Sequence, residues 1–551
     1  MLGQLPGGLW TKAIRSGTIR TLMFGSVFEK YAVTRRRTSS IWSIIAVILL
    51  AIIPQVAGRN IYAQEDSSQI SGTLTKDTTL DANSSPWYVT GDVNVPAGIT
   101  LTIEAGTTLY FSADKKITIK GRLVAEGTKD NLIHFTRAPG SSSKWKGLQF
   151  VDSMKDNRII YAVLEHARTN NGMVGVVNSS LLIDGAKFDN TDLRRVRFDN
   201  ASLIVRNCVF TDIFPPGQPP TTDNFSEHIW GSGVLQGGHF IIEKNIFGRT
   251  TGHNDAIDLD APRNDPMPQI LNNVFVGGGD DALDLEADVH IEGNLFMHYV
   301  KDKYNKASGE ANIISAGGGP ERERYYTVVH NVFLGSQHVA QVKDGAFMTF
   351  VNNTAAGISA SAIYFYLAGR QRGRGAYVDS CIFWRTGPVF NEVIESTQLS
   401  VHNSLLPPEW HHFGRGNIYA DPCFAETGYW ADKNDPNVVV EPGDPNAVWI
   451  VGDYHLKSHG GRFDPNSQSW VKDDVTSRCI DVGNLSYPVG YESFPNGGII
   501  NMGAYGGTAE ASKSYFGKPV CETIIAGDIN GDCRVNFVDF VFMAFHWLEE
   551  K

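Results

Sequence analysis

A right-handed parallel β-helix, a solenoid of the all-β class, is the fold this sequence predicts, and three observations predict it. From about Tyr88 the chain runs as short alternating strands broken by Gly, Asn and Asp, among them Leu101-Thr-Ile103, Thr108-Leu-Tyr-Phe111 and Ile117-Thr-Ile119. No amphipathic helix of useful length competes before the last thirty residues. A small residue or Asn followed two positions later by an apolar one then recurs. It occurs at Ala186-Lys-Phe188, Cys208-Val-Phe210, Asn245-Ile-Phe247, Asn273-Val-Phe275, Asn294-Leu-Phe296 and Asn331-Val-Phe333, and weakens through Asn353-Thr-Ala355, Cys381-Ile-Phe383 and Asn403-Ser-Leu405. The spacings are 22, 37, 28, 21, 37, 22, 28 and 22. A constant floor with additions is the pattern of a stacked coil in which some turns carry loop insertions.

Each element of the coil has a physical reason. Successive turns pair as parallel strands about 4.8 Å apart, so inward positions stack on their like and must be apolar. At a tight corner Asn tolerates a left-handed backbone, and its amide can bond to the Asn one turn above. A propeller or a sandwich would show longer and more even strand spacing. The ladder also constrains the cysteines. Cys208 and Cys381 share a corner six turns apart, far beyond the roughly 7 Å between Cα atoms that a disulfide allows, so both are expected as buried free thiols. Cys423 with Cys479, and Cys521 with Cys533, are the plausible pairs.

The 551 residues carry 48 Lys and Arg against 59 Asp and Glu, a net charge of −11. That balance argues against nucleic acid or an anionic membrane surface as partner. Arg35-Arg36-Arg37 precede an apolar run from Ile41 to Ile53, closed by Pro54 and followed by small residues at Ala57-Gly58 and Ala63. Such a run is short for a bilayer span and suits the apolar core of a secretory signal, which predicts a secreted or cell-surface protein. Eight bases and one acid lie in 1–63, so cleavage there leaves −18. Nine acids face only Arg263 within 254–288.

Gly91-Asp-Val-Asn-Val-Pro-Ala-Gly-Ile-Thr-Leu-Thr-Ile-Glu-Ala-Gly-Thr107 and Gly121-Arg-Leu-Val-Ala-Glu-Gly-Thr128 resemble the opening coils of secreted pectin-lyase-like β-helix proteins. Asp453-Tyr-His-Leu456, Cys479-Ile-Asp-Val-Gly483 and Asn501-Met-Gly-Ala-Tyr-Gly-Gly507 resemble their closing segment. The resemblance implies the fold, export, and a polysaccharide as partner. The expected organisation is a signal peptide at 1–63, a linker or cap at 64–87, the β-helix at 88–450, its closing segment at 451–520 and a tail at 521–551.

Two segments align at an offset of 26: His253-Asn-Asp-Ala-Ile-Asp-Leu-Asp260 and Gly279-Asp-Asp-Ala-Leu-Asp-Leu-Glu286. Strand alternation puts Asp258, Asp260, Asp284 and Glu286 outside on one face, Asp258 over Asp284 and Asp260 over Glu286. Four carboxylates this close repel unless a cation sits among them, and hard oxygen ligands suit calcium (Ca2+). Three readings stay open. The ion could neutralise a uronate carboxylate in an elimination, as in calcium-dependent pectate lyases. One carboxyl could act as acid and another as base in glycoside hydrolysis, with Asp258 and Asp284 as catalytic candidates. Or the ion is structural in a non-catalytic surface or adhesion module.

Lys343 lies ten positions before Asn353, as Asp284 does before Asn294, which places it on the same face two turns along. It could serve as a base if its pKa is lowered. Asp302-Lys303, Ser308-Gly-Glu310 and Val342-Lys-Asp344 resemble a series carried by a group of secreted β-helix proteins, although 304–310 depart from that spacing. Tyr364 and Tyr366 alternate outward ahead of Arg370, Arg372 and Arg374, a surface suited to stacking on sugars and holding acidic groups.

In the tail, Asp528, Asn530, Asp532, Asn536 and Asp539 place oxygen side chains at positions 1, 3, 5, 9 and 12 of a loop, with the Arg534 carbonyl at position 7. This is the calcium-loop spacing of an EF-hand, and Phe537 to Leu548 then reads as one amphipathic helix. The segment resembles one half of a type I dockerin, which implies a cohesin-like or cell-surface partner. Cys533 stands where an EF-hand has Gly, Asp539 where it has Glu, and the second repeat is missing.

Overall fold

A computed structural model describes residues 68–213, 226–261, 265–317, 323–368, 371–442, 444–517, 526–529 and 534–547. The leader, Arg263, Arg370, Cys521, Asn530, Asp532 and Cys533 lie outside these residues. The chain divides into two units, one of Ser67–Cys423, His455–Arg462 and Lys472–Lys551, the other taking in Phe424–Tyr454 and Phe463–Val471.

The first unit is a parallel β-solenoid of about 12 turns, as the repeat predicts. A single turn shows the logic. Phe240–Glu243, Ile246–Phe247 and Ile257–Asp260 are three short strands, and the next turn lays Gln269–Leu271, Val274–Phe275 and Leu283–Glu286 on them in parallel. In register, Ile242 meets Ile270 and then Ile291, and Leu259 meets Leu285 and then Ala316. These inward residues are all buried, whereas their outward neighbours are partly or fully exposed except beside Ala316, where Ser315 and Gly317 are covered. The phenylalanines of the recurring phrase form a column: Phe188, Phe210, Phe247, Phe275, Phe296 and Phe333 stack with ring centroids 4.6–5.3 Å apart. Where Ala355 interrupts the column, Phe350 from a neighbouring strand stacks on Phe333 instead.

Beside that column runs an asparagine ladder. Asn245, Asn273, Asn294 and Asn331 each donate both the backbone N–H and Nδ2 to Oδ1 of the next turn's Asn, at 2.8–3.1 Å, ending on Asn353. Cys208 feeds the ladder by donating its N–H to Asn245 Oδ1, and Asn353 passes its own to Cys381 Sγ. Two details differ from expectation. The left-handed residue is not the ladder Asn but the one before it, as at Asn207, Lys244, Asn272, His330 and Asn352. The rung after Cys381 is Ser404 rather than Asn403, because Asn403 takes that left-handed position and Ser404 Oγ accepts from Cys381.

Cys208 and Cys381 are buried free thiols, as the ladder requires. Cys423 and Cys479 lie near enough for one thiol to act on the other, but they are free rather than disulfide-bonded. The solenoid begins before 88, since Gln69–Thr73 and Thr78–Leu80 pair with later turns and Leu80 is fully buried. Residues 479–507 dock on the flank at the left-handed corner: Asn352 Nδ2 donates to the carbonyls of Asn501 and Gly503, and Ala504 N–H to Thr354 Oγ1. The second unit contains an antiparallel sheet, with Tyr429–Asp432 between Asp435–Val439 and Ala447–Ile450. Among the described residues no helix is long and apolar enough to cross a membrane.

Candidate functional site

One outward face collects most of the candidate residues. Its strands are Ile229–Val234, Ile257–Asp260, Leu283–Glu286, Asn312–Ala316, His338–Val342 and Ser361–Phe365. Their pairing brings Trp230, Asp258, Asp284, Ser315, Gln341 and Tyr364 into one column, one residue per turn. Asp260 lies over Glu286 in the next outward column, so both acidic pairings follow the sequence alignment. The inserted segment 298–311 leads into this side, directly ahead of Asn312.

Lys343 follows the strand His338–Val342 and so continues the outward column of Glu286, two residues beyond that of Asp284. Its long side chain still reaches back, and Nζ stands 3.6 Å from Asp284 Oδ1. Burial lowers the Lys343 pKa, but Asp284, Asp281 and Glu286 outweigh it, and the net shift is upward. A lysine held protonated is a poor proton abstractor, so the lowered pKa that a Lys343 base would need is not found.

The carboxyls differ from one another. Burial, then Asp284 and Glu227, push Asp258 up to about 7, against the pull of Arg194 and a hydrogen bond from Trp230. Asp258 is thus partly protonated at neutral pH, suited to acid–base work. Trp230 is itself held in place, with the Arg194 guanidinium 3.7 Å over its ring and Arg194 ion-paired to buried Glu227 at 2.6 Å. Glu286 is raised by burial and by Asp260.

Tyr364 lies against the ring of buried His338, 5.5 Å away, with Asn391 next in the column, and Tyr366 lies 5.4 Å beyond Tyr364. His338 is hydrogen-bonded on both sides, Nε2 to Glu310 Oε2 at 2.5 Å and Nδ1 to Ser361 Oγ at 2.7 Å. Arg372 is ion-paired with Glu392 and Arg374 with Glu323, so both are occupied by the protein's own carboxylates.

A tighter acidic group lies at the corner leading into the face. Asp255, Asp280 and Asp281 bring one carboxylate oxygen each within 4.8 Å of the others. Asp281 N–H donates to Asp255 Oδ1 at 3.0 Å, and Asn312 donates its N–H and Nδ2 to Asp281 Oδ1 at 2.8 and 2.9 Å. Burial foremost, and then neighbouring aspartates, raise Asp255 and Asp281 well above the usual range. Asp280 is pushed to about 6 by burial, against Ser308, His253 and Asn305. This all-oxygen donor set fits a hard divalent cation, as do the rung carboxylates.

Sequence reasoning singled out the rungs and missed this corner, as well as Trp230, Gln341 and His338. Its outward-facing rule applies along strands and gives no direction at a corner. Trp230 stands 28 rather than 26 residues before Asp258, so it does not show up in the aligned pair of segments.

In the tail, the helix Phe537–His546 carries a capping box. Asn536 Oδ1 accepts from Val538 N–H, and the Asp539 oxygens accept from Asn536 and Ile529 N–H at 2.7 and 2.8 Å. Asn536 and Asp539 therefore cap a helix; Asp528, Arg534 and these two are the described members of the expected loop.

No family model matches this chain. A stretch of 62 residues, 11% of the chain, is 39% identical to Protein bark beetle of Drosophila melanogaster. The chain spans about 2% of that protein's length, so the likeness is that of one short segment.

Proposed function

We propose that this chain is an exported β-helix protein that cleaves an extracellular polysaccharide by acid–base chemistry at Asp258 and Asp284. The observation that carries the reading is the unequal carboxyl pair, one partly protonated and the other beside Lys343, set between Trp230 and Tyr364 on an outward face. Asp258 protonates the leaving oxygen while Asp284, one rung away, attacks the anomeric carbon and the glycosidic C–O bond breaks; water, losing its proton to Asp258, then hydrolyses the glycosyl ester and frees Asp284. Carboxyls paired on adjacent rungs suit the close pair of a retaining glycosidase rather than the wider separation of an inverting one. Tyr364 and Tyr366 offer aromatic surface for sugar stacking, whereas the Trp230 ring is covered by Arg194 and serves to hold Asp258. Lys343, held charged, attracts an acidic polymer such as a uronate-rich one, and favours hydrolysis over elimination. In the same reading the tail loop from Asp528 to Asp539 takes calcium and docks to a cohesin-like or cell-surface partner.

The test is to incubate the purified full chain with a panel of acidic and neutral polysaccharides. New reducing ends are expected without ultraviolet absorbance from unsaturated uronates. D258N and D284N should each lose at least a hundredfold in rate while remaining folded. Absorbance growth would shift the assignment to a lyase. Binding without cleavage would favour the non-catalytic module, for which the arginines already tied to Glu392 and Glu323 speak.

A further inference from the structure

We infer that the corner beneath the acidic face is a structural binding site for a hard divalent cation, with Asp255, Asp280 and Asp281 as ligands and Asn312 closing it. The ligand atoms lie within 4.8 Å of one another, which is the widest separation two oxygens can have around one ion at about 2.4 Å from each. Two unpartnered buried polar groups point independently to a missing ligand. Asn312 is 3% exposed; its Nδ2 is committed to Asp281, while its Oδ1 has no partner among the described residues. Tyr299 is fully buried, lies close enough to Asp255 and Asp281 to feel both charges, and its hydroxyl likewise has no partner there. Buried polar groups in native folds are almost always satisfied, and a cation among three carboxylates would satisfy these.

Asp280 and Asp281 are 4% and 8% exposed and Asp255 is half-buried, so the ion is set mostly within the protein. Its work is to join turns. Asp255 and Asp281 sit on successive corners, and Asp280 is hydrogen-bonded to Ser308 and Asn305 of the inserted segment 298–311. That segment also supplies Glu310 to His338. The cation thus anchors the loop bordering the outward face, and this holds whether or not the face is catalytic.

The experiment is calorimetric titration of Ca2+ into the EDTA-stripped full chain, with thermal midpoints measured in EDTA and in excess Ca2+. Wild type should take up one ion more than D281N or D280N, and its midpoint should rise with Ca2+ while theirs does not. D528N, altered only in the tail, should keep the Ca2+-dependent rise. Asn at 281 retains the oxygen that accepts from Asn312; should D281N still fail to fold, D280N decides. Equal uptake by wild type and D280N, or a wild-type midpoint indifferent to Ca2+, overturns the site. A midpoint raised in EDTA by D281N without any response of the wild type to Ca2+ also overturns it, in favour of carboxyls that share protons. Polymer cleavage is read separately, so loss of one reading leaves the other standing.

Discussion

At the scale of the residue, burial governs the chemistry. Glu492 is 7% exposed; its Oε1 accepts from Asn501 and Gly507 N–H at 2.8 Å each, and its Oε2 has no partner among the described residues. Burial is the main cause that raises its pKa from 4.5 to about 7, against those two hydrogen bonds and with help from Asp481. A carboxyl raised on folding holds its proton more tightly in the native state. Its contribution is therefore fully present below about pH 4.5 and is lost as pH rises towards 7, by on the order of 3 kcal/mol. E492Q keeps the accepting oxygen and removes the charge. Its thermal midpoint should match wild type near pH 4.5 and exceed it at pH 8. Equal slopes for the two proteins between those values would refute this account. Asp481, pushed to about 6 by burial, leaves a residual slope of the same sign in the variant.

At the scale of the element, the asparagine ladder shows how far side-chain pattern can be read. The recurrence of Asn at a corner made both the ladder and its bonding legible, and a constant offset of 26 made the pairing of Asp258 with Asp284 legible. Strand alternation is a rule about direction, and it held for the two strands that carry the acidic pairs. It gave nothing for Asp255, Asp280 and Asp281, which sit at corners where direction depends on the turn. Counting from the ladder put Lys343 on the face of Asp284 two turns along, and there its Nζ stands 3.6 Å from Asp284 Oδ1. The same physics yields a prediction. N294A removes the oxygen that accepts both donors of Asn273, so the buried Asn273 N–H loses its partner and Nδ2 keeps only its bond to the Ile242 carbonyl. The loss should be about 1–3 kcal/mol in denaturant unfolding, with faster exchange of the Asn273 amide. A change below about 0.5 kcal/mol would show that water replaces the rung. The serine at 404 and thiol at 381 show that a ladder position tolerates groups other than Asn, so motif searching for Asn alone loses the later turns.

At the scale of the whole molecule, each turn rests only on the turns beside it, so stability is distributed along an axis rather than around a centre. The first strand, Gln69–Thr73, is exposed at four of its five positions, whereas Val289–Glu292 has none exposed. Hydrogen exchange should accordingly be fastest at Gln69–Thr73 and slowest around Val289–Phe296, with protection rising inward from the N-terminal end. Uniform protection along the solenoid would contradict this and indicate a single cooperative block. The ladder adds a consequence for synthesis on the ribosome. Every rung from Asn245 to Asn331 donates forward, to an acceptor that has not yet been made when the rung emerges. A nascent solenoid therefore always presents an unsatisfied leading edge, hungry for the next turn, while its trailing edge is already complete. Growth has an arrow. After Asn353 the run uses single-atom acceptors, Cys381 Sγ and then Ser404 Oγ, and Ser404 donates its own N–H to Asn417 Oδ1, where a side-chain amide resumes the line and bonds back to the Val401 carbonyl.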